Sequence, residues 1–183
     1  MKLIFTCGVL LATLSFLFGC SSFWHPLPDY EKIADDITEK TAQKLKEKKN
    51  LYLIGTGGRM MNDIQAMHMS FHFYQEVDLK EARELVVYAV NEYLLDINNN
   101  EEIRPYLHEY PFTAQNVEIR IFIYKPDRSR LPPEKIYYIA SINGVLEYHI
   151  RDSNPYQAIH EETYEEALKL VNNEMGKTTK SHR

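Results

Sequence analysis

Cysteine is nearly missing from this chain. Two occur in 183 residues, Cys7 and Cys20, both within or at the end of an amino-terminal apolar run. No disulfide can therefore brace the residues that follow, which must be held by a hydrophobic core alone, even in an oxidising compartment. A basic excess is missing too: 21 lysines and arginines stand against 26 acidic residues, a formal net charge of −5. With no basic stripe to neutralise phosphates, the composition argues against a nucleic-acid partner. Catalytic signatures are equally scarce. No serine sits in a G-x-S-x-G elbow, and neither G-x-G-x-x-G nor Gly-Lys-Ser/Thr occurs. There is no internal repeat and no low-complexity block.

What is present begins with the first residues. Lys2 is followed by an uncharged run from Leu3 to Gly19 that contains no proline. Its length matches the shortest transmembrane helix, about 17 residues, but no positively charged stop-transfer cluster follows; Ser21, Ser22, Phe23 and Trp24 come next. A basic start, an apolar centre and a small residue at the end make an export signal. The end of that run, Leu17-Phe18-Gly19-Cys20, resembles the lipobox of bacterial lipoprotein precursors, with Phe18 larger than the residue usual there. The resemblance implies that residues 1–19 are removed as a signal peptide. Cys20 then becomes the first mature residue, carrying a diacylglyceryl thioether and an acylated amino group, with 20–28 as the tether. Several acyl chains anchor stably, since each buried methylene contributes about 0.8 kcal/mol. The implied partner is a membrane reached through Cys20, and the implied location is the cell envelope. Ser21, where many inner-membrane lipoproteins carry aspartate, favours the periplasmic side of the outer membrane. No cofactor is implied.

The mature chain carries a net charge of −6 and is short enough for one domain, expected over residues 29–174 with a basic, small-residue disordered tail at 175–183. Residues 29–49 read as an amphipathic helix, with Tyr30, Ile33, Ile37 and Leu45 at helical spacing and lysines gathered at its carboxyl end. Those lysines are interleaved with acids, so a solvated face is expected rather than a basic spacer on lipid headgroups. Leu51–Ile54 reads as a short strand and Gly55-Thr56-Gly57-Gly58 as a turn with positive φ. Met67, Met69, Phe71 and Phe73 alternate with His68, Ser70, His72 and Tyr74, the pattern of a half-buried strand. Asp78 and Glu81 form a capping box for a helix over 79–97, with Val77 placed to staple onto Ala82. Val117, Ile119, Ile121 and Ile123 mark another strand. Asn143-Gly144 between apolar runs marks a type I′ hairpin whose core face carries Tyr137, Ile139, Leu146, Tyr148 and Ile150. Residues 155–162 fit strand or helix; Thr163 with Glu166 caps a last helix. The fold expected is α+β: a mainly antiparallel sheet of four to five strands, the 79–97 helix on one face, and helices at each end of the chain.

Several segments invite a functional reading. Met67-His68-Met69 and His68/His72 suggest a metal site, but a strand places methionines and histidines on opposite faces. The two histidines are then about 13 Å apart at ~3.3 Å per residue, and the glutamate of a zinc hydrolase is missing, so no metal site is expected. A hydrolase of envelope material would draw on His68, His72, His108 or His149 with Asp63 or Glu147, and on Arg59 or Arg104 to hold anions. It would require two of these groups within ~3 Å in a cleft. A small-ligand or metal carrier would use the glycine segment. The leading expectation is a non-catalytic binding or scaffolding domain, with no catalytic residue assigned and an envelope protein as partner. Gly55–Gly58, Asn99–Leu107 and Tyr110-Pro111-Phe112 are similar to segments of uncharacterised bacterial lipoproteins, a likeness covering about residues 50–170. It implies no activity, but it points to a single surface holding Arg59, Asp63, Arg104, Tyr106 and His108.

Overall fold

The computed structural model describes residues 29–151 and 158–180. The signal 1–19, the tether 20–28 with Cys20, residues 155–157 of the ambiguous segment, and 181–183 lie outside the described residues. Six strands form one open sheet in the order β1-β2-β3-β4-β5-β6: β1 Tyr52–Arg59, β2 Ala66–Phe73, β3 Val117–Ile123, β4 Ile136–Ile142, β5 Val145–Ile150 and β6 His160–Thr163. All neighbours are antiparallel except β2 and β3. Helices α1 Asp29–Lys49, α2 Leu79–Asn98 and α3 Tyr164–Lys180 contribute to one hydrophobic core with the inward face of the sheet. The fold is α+β, with six strands where four or five were expected; the sixth comes from His160–Thr163.

The helices form where side chains and caps require them. The Asp78 carboxylate accepts from the Glu81 backbone N–H, and Glu81 accepts in turn from the Asp78 N–H, a closed capping box that satisfies two orphan donors. Val77 and Ala82 are both buried behind it. Along α1, Ala34, Thr38, Thr41 and Ala42 are buried beside Ile37 and Leu45, small residues that let α1 lie close to α2. The buried Tyr93 hydroxyl meets Thr38 Oγ1 at 2.6 Å, and burial pushes its ionisation well above the usual tyrosine value. The lysine-rich end of α1 is engaged as well: Lys44 bridges Glu92 and Asp96, and Lys49 lies over the Tyr88 ring.

Three local expectations are corrected. The glycines form no turn: β1 runs through Arg59, pairing Gly55 to Gly58 with Ser70 to Met67, and none of its glycines has positive φ. Pairing with a long, well-patterned neighbour outweighs the poor strand preference of glycine. Tyr137 leaves the core face. A register shift between Ile136 and Tyr138 bulges the strand and re-aims its side chain, so Ile136 is buried in its place and Tyr137 stacks against Arg151. Residues 175–180 belong to α3 rather than to a tail. Thr163 and Glu166 cap that helix, and a helix once nucleated propagates cheaply where no proline stops it.

Candidate functional site

One end of the domain gathers the start of α1, the 60–65 turn, the 99–116 connection and the Asn143–Gly144 hairpin. Two asparagines build it. Asn98 clasps the Phe112 backbone, donating to its carbonyl at 2.9 Å and accepting from its N–H at 2.8 Å. Asn116 accepts from the Thr113 backbone and donates to Gln65 O and Glu109 Oε1. Asn100 Oδ1 accepts from the Ile103 N–H and starts a 3-10 turn over Arg104–Tyr106. That turn delivers the next residues to the 60–65 turn: Ile64 N–H donates to Tyr106 O and His108 N–H to Ile64 O, a parallel bridge between Ile64 and Leu107. Buried Ile64, Ile103, Leu107 and Phe112 pin the connection to the core.

This bridge brings Asp63 and His108 together, with His108 Nδ1 donating to Asp63 Oδ2 at 2.6 Å. Tyr106 lies beside them, its ring 5.7 Å from that of Tyr30, whose hydroxyl donates to Met60 O. Arg104 turns instead onto the Tyr110 ring, 4.6 Å from its centroid. Arg59 is drawn away, with Nη1 3.8 Å from Glu118 on the sheet. Asp63, Tyr106 and His108 thus share one surface, Arg104 borders it, and Arg59 does not join it. Sequence reasoning missed Asn98 and Asn116, which place everything else. Asn98 reads only as part of a helix stop, and nothing near Asn116 marks it.

The Asp63 hydrogen bond and charge raise the His108 pKa above 6.5, and the same bond lowers that of Asp63 below 3.8. The histidine's contribution to stability is complete below pH 6.5 and fades as pH rises through its raised value. The aspartate's is complete above pH 3.8 and fades as pH falls through its lowered value. The pair therefore acts most fully between pH 3.8 and 6.5. An NMR titration should place His108 above 6.5 in the wild type and return it to that value in Asp63→Asn; an unmoved midpoint would refute the pairing.

The outward face of the sheet is a second site. Strand register aligns Tyr52, His72, Phe122, Tyr138 and His149 across five strands, an aromatic ladder with centroid spacings of 6.4, 5.0 and 5.3 Å from His72 onward. Tyr74 and Tyr124 extend it beside His72. Below it run Ser70, Arg120 and Glu147, then His68 and Glu118. Each histidine has a local partner: His68 Nε2 with Ser70 Oγ at 2.8 Å, His72 Nδ1 with the Tyr74 hydroxyl at 3.2 Å, His149 Nε2 with Glu147 at 3.1 Å. Burial, then the Arg120 charge, lowers the His68 pKa. Among the described residues, no three His, Cys, Asp or Glu side chains are grouped to hold a metal ion, and no helix is long and apolar enough to cross a membrane. The chain matches no protein-family model, no curated protein and no solved structure at a significant level.

Proposed function

We propose that the protein is an envelope lipoprotein whose domain, tethered through Cys20 to the periplasmic side of the outer membrane, binds or scaffolds an envelope protein without catalysing a reaction. The observation that carries this reading is the export signal ending in Leu17-Phe18-Gly19-Cys20. The fold is compatible with it, because three helices cover one face of the sheet and leave the aromatic ladder on the other. Apart from buried His149, the ladder's partly exposed rings joined to polar side chains suit protein recognition, where Tyr and His offer an apolar body with a polar tip.

A hydrolase has one observation in its favour, the Asp63–His108 pair drawn from segments 45 residues apart. A carboxylate–imidazole pair serves catalysis when the imidazole activates a nucleophile. Here the two side chains are 35% and 59% exposed, and among the described residues no hydroxyl or thiol is bonded to that imidazole. The pair works as a structural clasp.

The test is intact mass and detergent partitioning of the protein from a bacterial host, with Cys20→Ala in parallel. The wild type should begin at Cys20, carry diacylglyceryl mass and enter the detergent phase; the variant should carry no diacylglyceryl mass and keep residues 1–19. Retention of residues 1–19 in the wild type, or a wild-type chain without lipid, overturns the reading.

A further inference from the structure

The end of the domain that meets the bilayer can be read from where the tether enters. This inference rests on the tethered reading proposed above. From Cys20 to Asp29 the chain makes nine Cα steps, a reach of at most about 32 Å. The 21 residues of α1 extend about 30 Å. The amino end of α1 therefore lies within the tether's reach of the membrane and contacts it whenever the tether is compact. Its carboxyl end, at Lys48 and Lys49, does so only if the tether is drawn out fully alongside the helix.

At the amino end, Tyr30 is bonded to Met60 O and packed on Tyr106, which ties the tether's exit to the 60–65 turn and the Tyr106–Tyr110 loop. The side chains offered there are apolar and ring-bearing: Met61 is 88% exposed, Tyr110 49% and Tyr106 37%. Tyrosine suits a membrane–water boundary because its ring is apolar and its hydroxyl wet. Around these residues stand Arg104 and His108 with Asp63, Glu101, Glu102 and Glu109, more acids than bases, so the contact rests on the apolar side chains and not on attraction to anionic headgroups. At the opposite end, Lys44 is already bound by Glu92 and Asp96, and Lys46 and Lys49 lie over the Tyr52 and Tyr88 rings, which leaves Lys48 too isolated to make a basic patch.

We infer that the surface of Met61, Tyr106 and Tyr110 is a membrane-contacting face that seats the domain upright on the lipid bilayer holding its tether. α1 then rises away from the membrane, and the aromatic ladder stands clear of it for a partner.

The experiment uses the full, lipid-modified chain. After processing, Cys20 is its only native cysteine and its sulfur is blocked, so Met61→Cys and Lys48→Cys each supply one free thiol at an exposed position. Each is labelled with an environment-sensitive fluorophore and reconstituted into phosphatidylethanolamine/phosphatidylglycerol vesicles carrying headgroup-depth nitroxide lipid. Quenching at position 61 should exceed that at position 48 by about threefold or more, and should be no weaker in all-zwitterionic vesicles. Equal quenching, or stronger quenching at position 48, overturns the inference while intact mass still shows lipid on Cys20. Absence of lipid in the mass overturns the tether and this face together.

Discussion

Glu162→Ala should destabilise the domain by about 3–5 kcal/mol, the cost of removing one partner from a buried ion pair. Glu162 Oε1 accepts from Arg83 Nε and from the Tyr148 hydroxyl, each at 2.7 Å. The Arg83 and Glu162 side chains are only 12% and 7% exposed, and Tyr148 is fully buried. The carboxylate thus joins the edge strand β6, the core of β5 and the first turns of α2. Its removal leaves a guanidinium and a phenol hydroxyl without their acceptor in a water-poor site. Urea denaturation should show the loss as a lower midpoint at unchanged slope. Because the penalty comes from unpaired groups, replacing all three together (Arg83→Met, Tyr148→Phe, Glu162→Leu) should recover most of it. A triple variant as unstable as Glu162→Ala would show that the cluster acts through packing instead.

Gly58→Ala should cost about 1–3 kcal/mol, the range for overpacking, whereas Gly55→Ala should be neutral or stabilising by up to about 1 kcal/mol through the unfolded chain. The contrast is geometric. A Cβ at Gly58 would lie 2.5 Å from the Ala66 carbonyl oxygen and 2.6 Å from Met60 Cε, while one at Gly55 meets nothing within 4 Å. The methionine can swing aside; the carbonyl belongs to β2 and can move only if the two strands part. Thermal melts of the two variants would separate these outcomes. Equal stability would mean that β1 rides loosely on β2 at its last rung.

Local signals carried the fold as far as they are local. The Asp78–Glu81 and Thr163–Glu166 caps, the Met67–Phe73 and Val117–Ile123 alternations and the Asn143-Gly144 hairpin each lie within a few residues of their cause, and each is in place. Asn143 and Gly144 both take positive φ, 51° and 76°, as a type I′ turn demands. What could not be read is what depends on a distant partner. The strand through Gly55–Gly58 exists because β2 lies beside it, and the bulge at Tyr137 belongs to a pairing rather than to a residue type. Glu162 looks like an ordinary polar residue until Arg83, 79 positions away, meets it. The corner surface was half legible for the same reason. Asp63, Tyr106 and His108 do meet, through a bridge 43 residues long in sequence, while Arg59 follows the strand it belongs to and Arg104 finds the nearer ring of Tyr110.

The one parallel pairing divides the sheet into two pieces of different character. β1–β2 is a hairpin and β3–β6 a meander, each closed by short connections, whereas β2 and β3 join only after the 43 residues between Phe73 and Val117 have been brought round. Closing a loop of that size carries an entropic cost of a few kcal/mol before any contact rewards it. α2 shortens the gap by forming locally, and it covers β3 and β4 while α1 holds β1 and β2. The seam between β2 and β3 is thus the high-contact-order step of the fold. The α1–α2 interface, sealed by Thr38, Tyr93, Lys44 and Asp96, is the strap that holds the two halves in register across it.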